Sequence, residues 1–291
     1  MKFGLVLPNY GPQASRFAII DSAIAAENNG FDSVWLTDHL ALPEADADVF
    51  GHIYESLTTM SYLAASTRTI KLGLSTLVLP QRNPIEVAKS LATLDNLSGG
   101  RLIVSVGIGW SKGEYQNLGY DFHTRGKRMN EAIKILRTCW RGQSNVSFHG
   151  DFYQFDNMVF SPTPVQPGGP PLWVAGDSQK ALKRAVGLGD GWHPNANSPM
   201  ELKESLHDVQ PIIQVRPFTV AVRSGIFLGD HCKLELSTII SGTREKIIQQ
   251  INDYQNAGMN YAVLNFRVNS QSERERAIKQ FMQEIAPAFS N

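Results

Sequence analysis

An acid beside an imidazole, Asp38-His39, closes a short apolar run at 33–37, and this pair is well suited to move protons. Histidine gains and loses a proton near neutral pH, which fits it for general acid–base work. Alternation along a strand sends the two side chains to opposite faces, one toward a site and the other toward the surrounding shell. A structural reading stands beside this one: Asp38 caps the next segment and His39 is a hydrogen-bonded rim histidine. Gly107-Ile108-Gly109 follows another apolar run. Its glycines lack Cβ, so bare backbone could approach a flat ligand there, or the segment is an ordinary turn. Gly176-Asp177-Ser178 precedes a helical stretch. The free N–H groups and dipole of a helix N-terminus favour a phosphate, while simple capping by Asp177 or Ser178 explains the same residues. Arg267 closes the last apolar run and could meet a phosphate or a carboxylate, as could Lys112, Arg125 and Lys127. Trp110, next to the glycine pair, could face a planar ligand. His39 and His52 lack metal-ligand spacing and no HExxH occurs, so no metal is expected.

These residues share a placement, because each candidate position lies at or just beyond a strand exit. Strand-like runs fall at 2–7, 33–37, 70–75, 101–106, 172–175, 191–193, within 217–228, and at 261–265. Helical stretches follow them, with Ser15 as the first N-cap and Gly30 as the first stop. Further helices are expected at 56–66, 84–97, 125–141, 178–188, 199–214, 243–257 and 272–281, and 107–123 reads as a loop. The strands are apolar without clean alternation, as when both faces are covered. Eight such units define an α/β fold and favour closure into a (β/α)8 TIM barrel, whose site lies at the carboxyl ends of the strands. The alternative is an open doubly wound sheet, but the one GxG follows the fourth strand and Gly113 is out of register for GxGxxG.

Segment 142–171 breaks the rhythm. It has no helical pattern, carries Phe148, Phe152, Tyr153 and Phe155, and ends in a proline-rich run. About thirty residues bury too little to stand alone, so it reads as a hairpin and extended linker inserted before the fifth strand of a single domain, 1–291. Basic and acidic residues both number 27, for zero formal net charge. That balance offers no basic excess for nucleic acid. No run approaches the ~18–20 apolar residues of a membrane span, and no signal peptide is evident. Cys139 and Cys232 stand far apart outside any CxxC, so reduced thiols in a cytoplasmic protein are expected.

Taken in order, four segments resemble the bacterial luciferase-like monooxygenase superfamily. They are GFDSVWLTDH (30–39), LGLSTLVLPQRNPIEVAKSLATLDNLSGGRLIVSVGIGW (72–110), FHTRGKRMNEAIKIL (122–136) and PLWVAGDSQKALKRAVGLGDGWHP (171–194). The resemblance runs from residue 2 to about 287 and looks most like the branch using the deazaflavin coenzyme F420. It implies a barrel with an insertion before the fifth strand, an oxidoreductase activity, and a flavin or deazaflavin across the barrel mouth. By resemblance, Asp38 and His39 lie near the cofactor ring, with His39 as proton donor. Ser75-Thr76 matches a non-proline cis peptide whose bulge props the ring. Gly107, Ile108 and Gly109 match backbone contacts to the ring, and Gly176, Asp177 and Ser178 match the phosphate end. A homodimer and a small-molecule substrate are also implied.

Two departures bear on the activity. Sugar-phosphate dehydrogenases of the family carry glutamate just after the fourth-strand glycines, where this chain has Trp110. Some F420-using members place a lysine shortly after the GDG turn, where this chain reads Asn195-Ala196-Asn197-Ser198. The expectation is therefore hydride transfer with F420, and the alternative is an FMN-dependent two-component monooxygenase served by a flavin reductase. A flavin-binding barrel without turnover and a cofactor-free aldolase or isomerase are further readings. The last would want a strand-end lysine or paired inward carboxylates, which the strand exits lack.

Overall fold

Short branched apolar runs, each closed by a polar exit and followed by a capped helix, set the order of elements. The computed structural model describes residues 1–142, 145–195, 198–229 and 239–289. The first half runs β1 (Lys2–Val6), α1 (Arg16–Asn28), β2 (Ser33–Leu36), α2 (Ser56–Ser66), β3 (Lys71–Val78), α3 (Pro84–Ser98), β4 (Leu102–Gly107), α4 (Lys112–Asn117) and α5 (Arg125–Trp140). The insertion holds β5 (Val146–His149) and β6 (Gln154–Met158). Then come β7 (Leu172–Ala175), α6 (Gln179–Leu188), β8 (Gly191–His193), α7 (Pro199–His207), α8 (Gln210–Ile213) and β9 (Thr219–Leu228). The chain continues through β10 (Ile239–Gly242), α9 (Arg244–Asn256), β11 (Tyr261–Phe266) and α10 (Gln271–Gln280).

Parallel pairing runs from β1 through β2, β3, β4, β7, β8 and β9 to β11, which pairs back onto β1 and closes an eight-stranded barrel. The insertion before β7, the fifth barrel strand, is an antiparallel hairpin of β5 and β6 followed by an extended run. Inside the barrel Trp35 stacks on Trp173 at 5.1 Å, and Tyr261 meets Trp173 edge-on at 5.2 Å. Room for Trp35 comes from its neighbours: a Cβ on Gly4 or Gly73 would lie 2.2 or 2.3 Å from the indole. Glycine within a strand commonly marks such a close approach. This aromatic layer fills the barrel and forms the floor beneath the mouth.

Three expectations need correction. Segment 107–123 is not all loop, because Ser111 caps the short helix α4 by accepting from Glu114 N–H. The helix expected over 199–214 is two, α7 and α8, with Pro211 in the first turn of α8. Proline lacks the N–H that a continuous helix would need. An additional parallel strand, β10, lies beside the upper half of β9, pairing Ile239 with Gly225. Cys139 is a buried free thiol, and Cys232, Ala196 and Asn197 lie outside the described residues. Among the described residues no helix is long and apolar enough to cross a membrane, and no cluster of metal-ligating side chains occurs.

Candidate functional site

The strand exits converge on a cavity of about 650 Å³ at the barrel mouth, a size usual for a small-molecule site. Asp38, His39, Ser75 and Thr76 border it from β2 and β3, and Gly107, Ile108, Gly109 and Trp110 from β4. Gly176 and Asp177 border it beyond β7, and Arg267 beyond β11. Ser178 does not line it; its hydroxyl accepts from Ala181 N–H as the cap of α6. Lys112, Arg125 and Lys127 also lie off the cavity.

The Asp38-His39 pair divides as strand alternation requires. Asp38 turns into the shell, where Oδ1 accepts from Ser56 Oγ and Arg82 at 2.7 Å each and Oδ2 accepts from Val78 N–H at 2.9 Å. His39 turns the other way, and its Nδ1 meets Glu114 Oε2 at 3.0 Å. A carboxylate only accepts, so a proton sits on Nδ1, and Nε2 is the nitrogen left to exchange a second proton. Among the described residues Nε2 has no hydrogen-bond partner, and His39 borders the cavity. Phe50 and Trp110 flank the ring at 4.9 and 5.6 Å.

Glu114 was not singled out in the sequence. It is fully buried and also accepts from Leu40 N–H at 2.6 Å, Ala41 N–H at 3.2 Å and Gln81 Nε2 at 3.2 Å. Burial pushes its carboxyl upward, but the bonds from His39 and Leu40, the His39 charge and Gln81 outweigh this and hold it at about 2. The signal that could have found it is the Ser111-x-x-Glu114 spacing of a capping box. Here the glutamate leaves its own helix end and serves His39 instead. Its folded pKa lies below its unfolded one, so its contribution is present above about pH 4.5 and is lost as pH falls toward 2. Glu114→Gln is therefore expected to lower stability at neutral pH by up to about 3 kcal/mol. The gap between variant and wild type in urea melts should be wider at pH 7 than at pH 3, and an equal gap at both would contradict the assignment.

His193, on β8, is the second imidazole of the mouth. Its Nδ1 donates to the Ala221 carbonyl at 2.7 Å, so Nε2 accepts from Ser75 Oγ at 2.8 Å. Burial pushes its pKa down to about 4, with the Arg223 charge adding to the shift and the Ala221 bond opposing it. It is thus neutral near pH 7 and holds Ser75, rather than exchanging protons. The Ser75–Thr76 peptide is cis, and the β3–β4 register shifts between Leu74 and Leu77. Opposite this bulge a Cβ on Gly107 would lie 2.5 Å from Thr76 Cγ2, and Gly109 sits at φ +67°. Both positions require glycine and expose peptide backbone to the cavity. Beyond β7, Asp177 accepts from Asn195 N–H at 2.6 Å, and desolvation raises its carboxyl pKa.

Fold and site together define a (β/α)8 barrel whose mouth pairs a carboxylate-oriented histidine with a glycine-walled cavity. The sequence profile of the luciferase-like monooxygenase family matches residues 1–230, and the chain belongs to that family. It is 36% identical to the FMNH(2)-dependent dimethylsulfone monooxygenase of Pseudomonas putida, over 54% of this chain and 44% of that one. It is 27% identical to the F420-dependent glucose-6-phosphate dehydrogenase of Amycolatopsis mediterranei, over 96% of this chain and 97% of that one. The chain thus spans less than half of the first relative's length and nearly all of the second's. An F420-dependent secondary alcohol dehydrogenase, solved in complex with an F420-acetone adduct, has the same fold. Its TM-score is 0.84 at 21% identity, covering 100% of this chain and 99% of that one.

Proposed function

We propose that this protein is an F420-dependent oxidoreductase that moves a hydride to or from a small organic substrate while His39 handles the accompanying proton. The observation that carries this reading is the His39–Glu114 pair, in which a buried carboxylate fixes the imidazole with Nε2 toward the cavity. A carbinol that gives up a hydride must also lose its hydroxyl proton, and the reverse reaction must regain it. A histidine so held suits either direction.

The residues present fit such a coenzyme. Bare backbone at Gly107 and Gly109, with the bulge at Ser75 and Thr76, offers two surfaces for a flat ring. The backbone of Gly176 and Asp177, just before α6, would hold the phosphate end, with Ser178 capping that helix behind it. When bound, the deazaflavin supplies the hydride chemistry, and the protein supplies orientation and proton handling. Single-domain organisation over 1–291 and a homodimer belong to the same reading.

The test is titration of the purified protein with F420 and separately with FMN, following tryptophan emission, since Trp110 borders the cavity. Binding of F420 in the micromolar range, with FMN much weaker, is the expected result. A preference for FMN would replace this reading by a two-component monooxygenase fed by a flavin reductase. The absence of lysine at 195–198 and the 36% identity to an FMNH(2)-dependent relative favour that second reading.

A further inference from the structure

One wall of the cavity carries two guanidinium groups and, among the described residues, no carboxylate. Arg223 projects inward from β9 and, two residues along, Gly225 faces the same way. Arg223 donates to Ser75, through its carbonyl and hydroxyl, to Thr37 Oγ1 at 3.1 Å and to Tyr10 Oη at 3.4 Å. All four acceptors are neutral. Among the described residues Arg223 has no carboxylate partner, whereas Arg82 and Arg137 on the same barrel are both ion-paired. Asn265 Nδ2 donates to Tyr10 Oη as well, at 3.0 Å. With both lone pairs of that phenol engaged, its own proton remains to be given away. Arg267, two residues beyond Asn265, lies over Gly225, where a Cβ would come within 3.0 Å of Arg267 Nε. It too has no ion-pair partner among the described residues. Among the described residues the carboxylates bordering the cavity are elsewhere: Asp38 is taken by Arg82, and Asp177 lies beyond β7.

We infer that this wall, formed by Arg223, Arg267 and the Tyr10 hydroxyl, recognises an oxyanion on the substrate, a carboxylate, sulfonate or phosphate group. The inference rests on the proposed use of the cavity as the cofactor and substrate site, and it names the substrate class. A guanidinium already surrounded by neutral acceptors gains most from a charged one, and charge-assisted bonds are roughly twice as strong as neutral ones. Arg223 is braced by four bonds and therefore pre-organised, and Arg267 has a planar fork that suits an oxyanion. In the closed barrel β9 and β11 lie away from β4, so an anion bound between Arg223 and Arg267 leaves Gly107 and Gly109 free for a ring, while Arg223 reaches across to the Ser75 bulge.

Benzoate and benzamide are near-isosteric and differ by one charge, which makes them the probes. Their affinities are read by calorimetry at low salt, on free protein and on protein saturated with whichever of F420 or FMN binds. Benzoate is expected to bind roughly tenfold or more tightly than benzamide in both states. That preference should shrink severalfold in Arg267→Gln, whose surface position makes it safe for folding, and in Arg223→Gln, with cofactor affinity unchanged in Arg267→Gln. Equal binding of the two probes overturns the inference, and so does a preference that survives both substitutions. Loss of benzoate binding on cofactor-loaded protein also overturns it, since the wall would then serve the cofactor. If neither cofactor binds, the proposed function fails on its own titration, while the probe ratio is still read on the free protein.

Discussion

Replacing His39 by alanine is expected to lower kcat by roughly 10²–10⁴-fold, the usual contribution of a positioned general acid or base. The argument rests on orientation. Glu114 accepts the hydrogen bond from Nδ1 and is locked in turn by the N–H groups of Leu40 and Ala41 and by Gln81. The imidazole therefore presents one defined nitrogen to the cavity. His193, the other imidazole bordering the cavity among the described residues, is engaged at both nitrogens and cannot substitute. Cofactor affinity should change little, because His39 offers one side chain to a cavity otherwise walled by backbone and by other strands. Since His39→Ala also removes a bond to buried Glu114, His39→Gln is the control. Its amide can still donate to Glu114 but cannot accept and carry a proton at neutral pH. Both variants should lose turnover alike, with His39→Gln the more stable. A fall in kcat of less than about threefold in both would remove His39 from the chemistry and leave the proposed function without its main support.

Much of the cavity's rim is legible in the sequence. Parallel strands buried on both faces are apolar throughout, so the first polar or glycine residues mark their exits, and the exits of a closed barrel must share one rim. That is why the sequence places Asp38, His39, Gly107, Gly109, Gly176 and Arg267 at the rim, where they border the cavity. Alternation also separated Asp38 from His39, although which of them faced the mouth depended on Trp35 pointing inward, a choice set by Gly4 and Gly73 on the neighbouring strands. Residues inside an element were harder. Arg223 lies mid-strand in TVAVRSGIFL, and without the strand's phase a lone arginine there says nothing about direction. Glu114 sits in six residues that include Gly113, too short to show a period. His193 stood at a strand exit, but its neutral, Ser75-holding role depends on the Ala221 carbonyl across the barrel, a contact between residues 28 apart. The departures from helix expectation have the same origin: Pro211 divides a stretch whose apolar spacing alone reads as continuous.

Arg82→Leu should be the most damaging single change to the rim, because it strands a carboxylate inside the protein. Asp38 is 2% exposed and binds three elements at once, α2 through Ser56, the far end of β3 through Val78 N–H, and Arg82 just beyond β3. Arg82 also reaches Glu55 at 3.1 Å. Burial opposes its charge, but Asp38 and Glu55 outweigh that and raise its pKa above the ordinary arginine value. Removing one partner of a buried pair typically costs about 3–5 kcal/mol, most of it the penalty of the charge left behind. In a chain of this size that corresponds to a fall in Tm on the order of 10 °C. The double variant Asp38→Asn with Arg82→Leu separates this penalty from lost packing. Asparagine can still accept from Val78 N–H and carries no charge, so the double variant should recover more than about 1 kcal/mol of the loss, a positive coupling in the cycle. If Arg82→Leu alone costs less than about 1 kcal/mol, the carboxylate is served by Ser56 and Val78 and needs no counter-charge. Cofactor affinity should follow the same order, highest in the wild type, lower in the double variant and lowest in Arg82→Leu. Val78 borders the cavity and follows the Ser75–Thr76 bulge, so the bond from its N–H to Asp38 is what ties that stretch of β3 to the exit of β2, where His39 stands.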